Sequence, residues 1–271
     1  MTSDFKRAVD NGDVLGAVLS FKTLEKEGRV LDKVLGQSPF MYALFRGDLA
    51  VISALIETGI SLETAGKFEL HPLHYVVGKG KVEITKLFFD AGQGAEFADP
   101  RSGMTALHHA VESGHLDMVK FVLDKCKDLN VRNKDLWSPL HFAVYQESTD
   151  IAQELISAGV LVDAKDKHDL TPLHHASNKE KGSHIINCLV QAGADINYIA
   201  AGKWSPLHLA VDAKHIDNSQ TLLELGAMVD IPGKKGHTPL RNAKKNCHPA
   251  MIRLLESYGA NIEVIDDNPT I

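Results

Sequence analysis

A chain of 271 residues with a net charge of -6 and 24% charged residues carries no global basic field, which argues against nucleic acid or a membrane surface as partner. Its three cysteines, Cys126, Cys188 and Cys247, are far apart and form no Cys-x-x-Cys pair, as expected for reduced thiols in a cytoplasmic, intracellular protein. Residues 1–10 hold no apolar run of signal-peptide length, and no stretch reaches the roughly 18 apolar residues of a membrane span.

In chain order, residues 1–30 form a degenerate opening unit, where Ser3-Asp4-Phe5-Lys6 puts charges at positions that later carry proline and histidine. A tetrad then returns seven times. It reads Ser38-Pro39-Phe40-Met41, His71-Pro72-Leu73-His74, Thr105-Ala106-Leu107-His108, Ser138-Pro139-Leu140-His141, Thr171-Pro172-Leu173-His174, Ser205-Pro206-Leu207-His208 and Thr238-Pro239-Leu240-Arg241, at intervals of 33 or 34 residues. Each tetrad predicts a helix start. A Ser or Thr hydroxyl at the N-cap accepts from a first-turn amide that otherwise has no partner. Proline suits N1, where its φ is already helical and its missing N–H costs nothing. The fourth residue, usually histidine, stands where a capping box places Glu or Gln.

Five residues past each cap comes a small side chain, Ala43, Val76, Ala110, Ala143, Ala176, Ala210 or Ala243, which lets two helices approach closely. A second helix follows with apolar residues at i, i+3 and i+4 spacing, as in Met118, Val119, Phe121, Val122 and Leu123. Its end is marked by Gly59, Gly92, Gly159, Gly193, Gly226 or Gly259, each suited to a left-handed C′ position, whereas Cys126 predicts a strained or looser end. Short polar–apolar alternations such as Ala194-Asp195-Ile196-Asn197 predict a β-hairpin before the next cap. Extra residues near Gln93-Gly94 and Lys181-Gly182 fall in predicted loops. Asn218 and Ser219 replace apolar residues of other units and predict a softer seventh unit. Glu256 replaces the apolar residue that would face a further unit, so polar caps predict a complete stack of eight with no room for a catalytic domain.

Period, tetrad and C′ glycine together resemble the ankyrin-repeat family over about residues 1–265. The resemblance implies an α-class solenoid of helix–turn–helix plus β-hairpin units, forming one domain over 1–271. The units fall at about 1–30, 34–63, 67–97, 101–130, 134–163, 167–197, 201–230 and 234–263. It further implies an elongated, curved stack that binds other macromolecules through hairpin tips and the concave face of its first helices. Fold alone names no partner.

In ankyrin repeats the residue just before the cap lies at the hairpin base and often touches partners. Here that row is Gln37, Leu70, Met104, Trp137, Leu170, Trp204 and His237, and it holds both tryptophans of the chain. Leu70, Met104, Trp137, Leu170 and Trp204 therefore read as a hot-spot stripe, or else as side chains packing on neighbouring hairpins. A second row on the first helices includes Tyr75, His109, Phe142, His175, Leu209 and Asn242, with Tyr145, Asn178 and Asp212 one turn further on. Trp137, Phe142 and Tyr145 could wall a methyl-lysine cage, as in some members of the family, or simply pack between repeats. The two tryptophans, two repeats and roughly 20 Å apart, cannot share one cage.

Lys234, Lys235, Arg241, Lys244 and Lys245 form a basic patch that suits an acidic partner, or a solvated end unit. Asn130 and Asn197 match a hairpin asparagine that is hydroxylated in some ankyrin proteins, or they hold the turn by side-chain bonds. Of the 14 histidines, His74, His108, His141, His174 and His208 belong to tetrads and His115, His215 and His248 to starts of second helices. Adjacent pairs such as His108-His109 and His174-His175 point in different directions on a helix and make no metal-ligand set.

The expected function is a non-catalytic adaptor, scaffold or inhibitor that binds another protein or peptide as a monomer, without cofactor or metal. Alternatives are a pathogen effector that binds host proteins and a methyl-lysine peptide reader. No nucleophile–base constellation, phosphate loop or metal spacing supports an enzyme hidden in the groove.

Overall fold

Each tetrad opens a short helix, and a second helix follows after a tight turn. The computed structural model describes residues 2–29, 38–60, 62 and 71–261. The helix pairs are α1 (Thr2–Asp10) and α2 (Val14–Lys26), α3 (Pro39–Arg46) and α4 (Leu49–Glu57), α5 (Pro72–Gly78) and α6 (Val82–Asp90), and α7 (Ala106–Ser113) and α8 (Leu116–Lys125). They continue with α9 (Pro139–Tyr145) and α10 (Thr149–Ser157), α11 (Pro172–Ser177) and α12 (Ser183–Gln191), α13 (Pro206–Asp212) and α14 (Ile216–Glu224), and α15 (Pro239–Lys245) and α16 (Pro249–Ser257).

Packing gathers these pairs into two compact units, Met1–Asp128 with α1–α8 and Leu129–Ile271 with α9–α16. Within each unit first helices pack on first helices and second on second, so α9, α11, α13 and α15 form one layer and α10, α12, α14 and α16 the other. The first unit's core is built on Phe5, Leu24, Phe40, Leu55, Phe88 and Met118, and the second's on Leu140, Ile151, Leu173, Leu189, Leu222 and Leu255. Each such side chain contributes roughly 1.5–3 kcal/mol by leaving water. Ala110, Ala143, Ala176 and Ala210 are fully buried where the helices come closest.

The tetrad histidine joins one repeat to the next. Ser138 donates its backbone N–H to His141 Nδ1 at 3.2 Å, and the Ser138 hydroxyl lies 2.9 Å from the same nitrogen. The other ring nitrogen, Nε2, donates to the carbonyl of Leu170 at 3.2 Å. A carbonyl only accepts, so the ring carries its proton on Nε2. His174 repeats this towards Trp204 (3.1 Å) and His208 towards His237 (2.9 Å). The tetrad therefore positions the residue before the following cap.

The loops before the caps differ from the expected β-hairpins, since no strand forms among the described residues. Two backbone bonds close each, such as Asn133 N to Trp137 O (3.0 Å) with Leu136 N to Asn133 O (2.9 Å), and Asp166 N to Leu170 O (2.9 Å) with Asp169 N to Asp166 O (3.0 Å). Side chains take the amides a ladder would use: Asn133 Oδ1 accepts from Asp135 and Trp137, and Asp166 Oδ1 from His168 and Leu170. A second set of side chains ties each loop to the next. Glu96, Asn130, Asp163, Asn197 and Asp230 accept from the backbone amides of Lys127, Leu161, Asp195, Met228 and Asn261.

Gly159 and Gly193 take the expected left-handed conformation, at φ +90° and +92°. Cys126 instead leaves the helix in extended conformation, at φ -78° and ψ 135°. The seventh repeat is not left with unsatisfied polar groups. Asn218, fully buried, donates through Nδ2 to Lys179 O (2.6 Å) and Ser177 O (3.2 Å) and accepts through Oδ1 from Ser183 Oγ (3.0 Å). The residue inserted near Gly182 breaks the end of α11, and Asn218 satisfies the carbonyls so released.

Candidate partner-binding site

The residues before the caps do not share one environment. Gln37 and Leu70 lie outside the described residues. In the first unit Met104 is only 8% exposed, so its side chain belongs to the core and offers a partner little surface. Tyr75 is half-buried, and burial pushes its phenol above the usual range. In the second unit Trp137, Leu170 and Trp204 are all half-buried, and the carbonyls of Leu170 and Trp204 are held by the tetrad histidines. Leu136, at 42% exposure and in left-handed conformation beside Trp137, extends the apolar surface. Nothing in the sequence marked it, because its exposure follows from the turn.

Trp137 anchors an aromatic cluster. Its ring meets the rings of Phe142 (5.3 Å), Tyr145 (5.5 Å) and His175 (5.1 Å) edge to face and stacks on His141 (5.9 Å). Edge-to-face contact of this kind stabilises packing, and here it sets three cage candidates directly against one another. Lys179 Nζ lies 3.8 Å from the centroid of the Tyr145 ring, a cation–π contact made within the chain on one of the three aromatic candidates. Tyr145 itself is 55% exposed. Behind the cluster His175 Nε2 donates to Asp166 Oδ2 at 2.9 Å. Burial raises the Asp166 carboxyl, but bonds from Leu170, His175 and His168 outweigh it and leave the group below its usual value.

Trp204 lies across Gly202, where an added Cβ would stand 3.0 Å from indole Cδ1, and meets His208 edge to face. It forms one wall of a cavity of about 300 Å³ whose lining includes Lys234, Lys235, Asn242, Lys245 and Asp212. The basic patch is thereby divided. Lys234, Lys235 and Lys245 line the cavity, whereas Lys244 Nζ approaches Glu256 at 4.0 Å and Arg241 is not among the lining residues. Asn130 and Asn197 are engaged through Oδ1 in the inter-repeat bonds given above.

The histidines are packed groups. In the third repeat His71 occupies the cap itself and accepts the Leu73 amide at Nδ1 (3.2 Å), which leaves His74 Nδ1 without a hydroxyl. His71 Nε2 and His109 Nε2 are likewise buried without a partner. Burial holds His71 down to about 4 and His109 to about 3, so both are neutral near pH 7. Among the described residues no three His, Cys, Asp or Glu side chains come together as metal ligands, and no helix is long and apolar enough to cross a membrane.

Stacked helix pairs at this period, joined by side-chain-closed loops, define a helical-repeat scaffold of the protein-binding class. A family profile described as ankyrin repeats (three copies) matches residues 40–133, 125–200 and 173–266, and the chain belongs to the ankyrin-repeat family. The crystal structure of the human ASB11 ankyrin repeat domain is similar, with a TM-score of 0.63 and 25% identity, covering 71% of this chain and 85% of that one. Human ankyrin repeat and SOCS box protein 16 is 30% identical over 219 residues, 77% of this chain and 47% of that protein. Human palmitoyltransferase ZDHHC13 is 28% identical over 204 residues, 75% of this chain and 33% of the enzyme. The chain thus spans about a third to a half of the length of these curated relatives.

Proposed function

We propose that this chain is a non-catalytic protein-interaction module whose partner lies along Trp137, Leu170 and Trp204 of the second unit. The observation that carries this reading is that three successive apolar residues stay half-buried at the loop bases of a unit whose core is already filled. Tryptophan anchors beside polar loops are the usual composition of an interface hot spot. The scaffold, adaptor or inhibitor role is set by the partner. The match to a palmitoyltransferase takes in a third of that enzyme and lends no catalytic group to this chain.

The test is affinity capture with the wild-type chain against Trp137→Ala/Trp204→Ala. Proteins captured by the wild type should be lost from the double variant while its melting temperature falls by no more than about 4 °C. Unchanged capture would overturn the reading, and a large loss of stability would show that the indoles are there for packing.

A further inference from the structure

The loop before α15 differs from those before α9 and α11 in how its charge is balanced, and it carries two lysines where the loop before α13 carries one, Lys203. In the two loops of the fifth and sixth repeats, lysines meet carboxylates: Lys167 Nζ stands 2.7 Å from Asp135, and Lys165 Nζ 3.6 Å from Asp169. The corresponding loop of the last repeat reads Gly233-Lys234-Lys235-Gly236, with no acidic residue. Neither Lys234, Lys235 nor Lys245 makes an ion pair among the described residues. All three line the cavity closed on one side by Trp204. Asp212 also lines it and accepts from Asn246 Nδ2 at 3.2 Å, so three ammonium groups face one carboxylate in a chain whose net charge is -6.

A second observation points to a ligand. Asn242, only 5% exposed, forms part of the cavity wall, and its Nδ2 has no hydrogen-bond partner. A buried amide without an acceptor is uncommon in a folded protein. An oxygen acceptor arriving in this cavity would meet the unbalanced lysines, and the idle Asn242 amide lies in the wall behind them. The lining holds no guanidinium fork for either anion, and lysine point charges attract both; Asp212 in the same lining repels a doubly charged phosphate more than a singly charged carboxylate.

We propose that this cavity receives an acidic side chain of an extended, unmodified peptide. The carboxylate sits among Lys234, Lys235 and Lys245, in front of the wall that Asn242 helps to form, and a neighbouring apolar side chain lies on Trp204. The proposal rests on the protein-binding reading above and names the partner's chemistry at one end of it. The chain's own content supplies the reporter, since it has two tryptophans, one in the aromatic cluster and one in the cavity.

The experiment uses the full chain labelled with 5-fluorotryptophan, its two fluorine resonances assigned with Trp137→Phe. Three ten-residue probes are titrated: alternating Glu and Leu, alternating Gln and Leu, and the Gln peptide carrying one phosphoserine. The acidic probe should shift the Trp204 resonance, bind more weakly as salt rises, and lose about ten-fold or more in affinity with Lys245→Glu or Lys234→Ala/Lys235→Ala. Equal binding of the Gln peptide, binding of the phosphopeptide alone, or a still Trp204 resonance with every probe would each overturn the proposal. Thermal melts show that the lysine variants fold. If Trp204 responds while Trp137→Ala leaves partner capture unchanged, the stripe fails and the cavity stands. If capture needs Trp137 and no probe moves Trp204, the cavity fails and the stripe stands.

Discussion

Asn218 shows how a polar residue at an apolar position is explained only by its neighbours. Its amide bonds to the carbonyls of Ser177 and Lys179, which the broken end of α11 leaves without helical donors. Replacing it with leucine restores the usual composition of the position yet strands those acceptors. Asn218→Leu is expected to destabilise by about 1–3 kcal/mol, read as a lower urea midpoint. Gly182 faces the same contact. Its φ of -75° needs no glycine, but an added Cβ would lie 2.1 Å from Ala176 O and 2.9 Å from Asn218 Nδ2. Gly182→Ala should therefore cost about 1–3 kcal/mol through crowding. Equal stability of both variants to wild type would show that the segment repacks freely.

Among the elements, the loops are held by side chains as well as by backbone. Asn197 Oδ1 accepts from Met228 N at 2.8 Å, as Asn130 does from Leu161 N at 2.7 Å. This ladder fixes the step from one repeat to the next, a task that a longer β-hairpin would give to its strands. Asn197→Ala should cost about 1 kcal/mol and speed amide exchange at Met228 while leaving Leu161 protected. Uniform protection in the variant would place the restraint elsewhere. The tetrad histidines work at the same scale. His141 and His174 each hold their own cap through Nδ1 and the next repeat's loop base through Nε2, so a residue chosen for capping also presents Leu170 and Trp204.

At the scale of the whole molecule, these buried imidazoles make stability depend on pH. Burial holds His71, His141 and His174 down to about 4 and His109 to about 3, against an ordinary value near 6.5. The unfolded chain therefore binds protons that the folded chain refuses between those values. Stability is retained above about pH 6.5 and lost progressively as pH falls towards 4. Urea midpoints should decline steadily from pH 7 to pH 5; a flat profile would mean that the rings are solvated in the folded state. The repeat architecture was legible in the residues because a cap, an N1 proline and a C′ glycine act on partners within a turn or so of the chain. The stripe was only partly legible. Position alone grouped Met104 with Trp137 and Trp204, whereas packing buries the first and leaves the other two half-buried. The seat of Lys179 over Tyr145 and the rescue by Asn218 depend on residues 34 to 41 positions away, and the division of the basic patch on Glu256, 12 positions from Lys244, and on Trp204, 30 positions from Lys234. Sequence by itself determined where the tetrad helices from α3 onward begin and where the glycine-ended second helices stop, since those interactions are local. Tertiary structure decided which side chains remain available and which charges stay unbalanced, since burial and pairing are set by the neighbouring repeat.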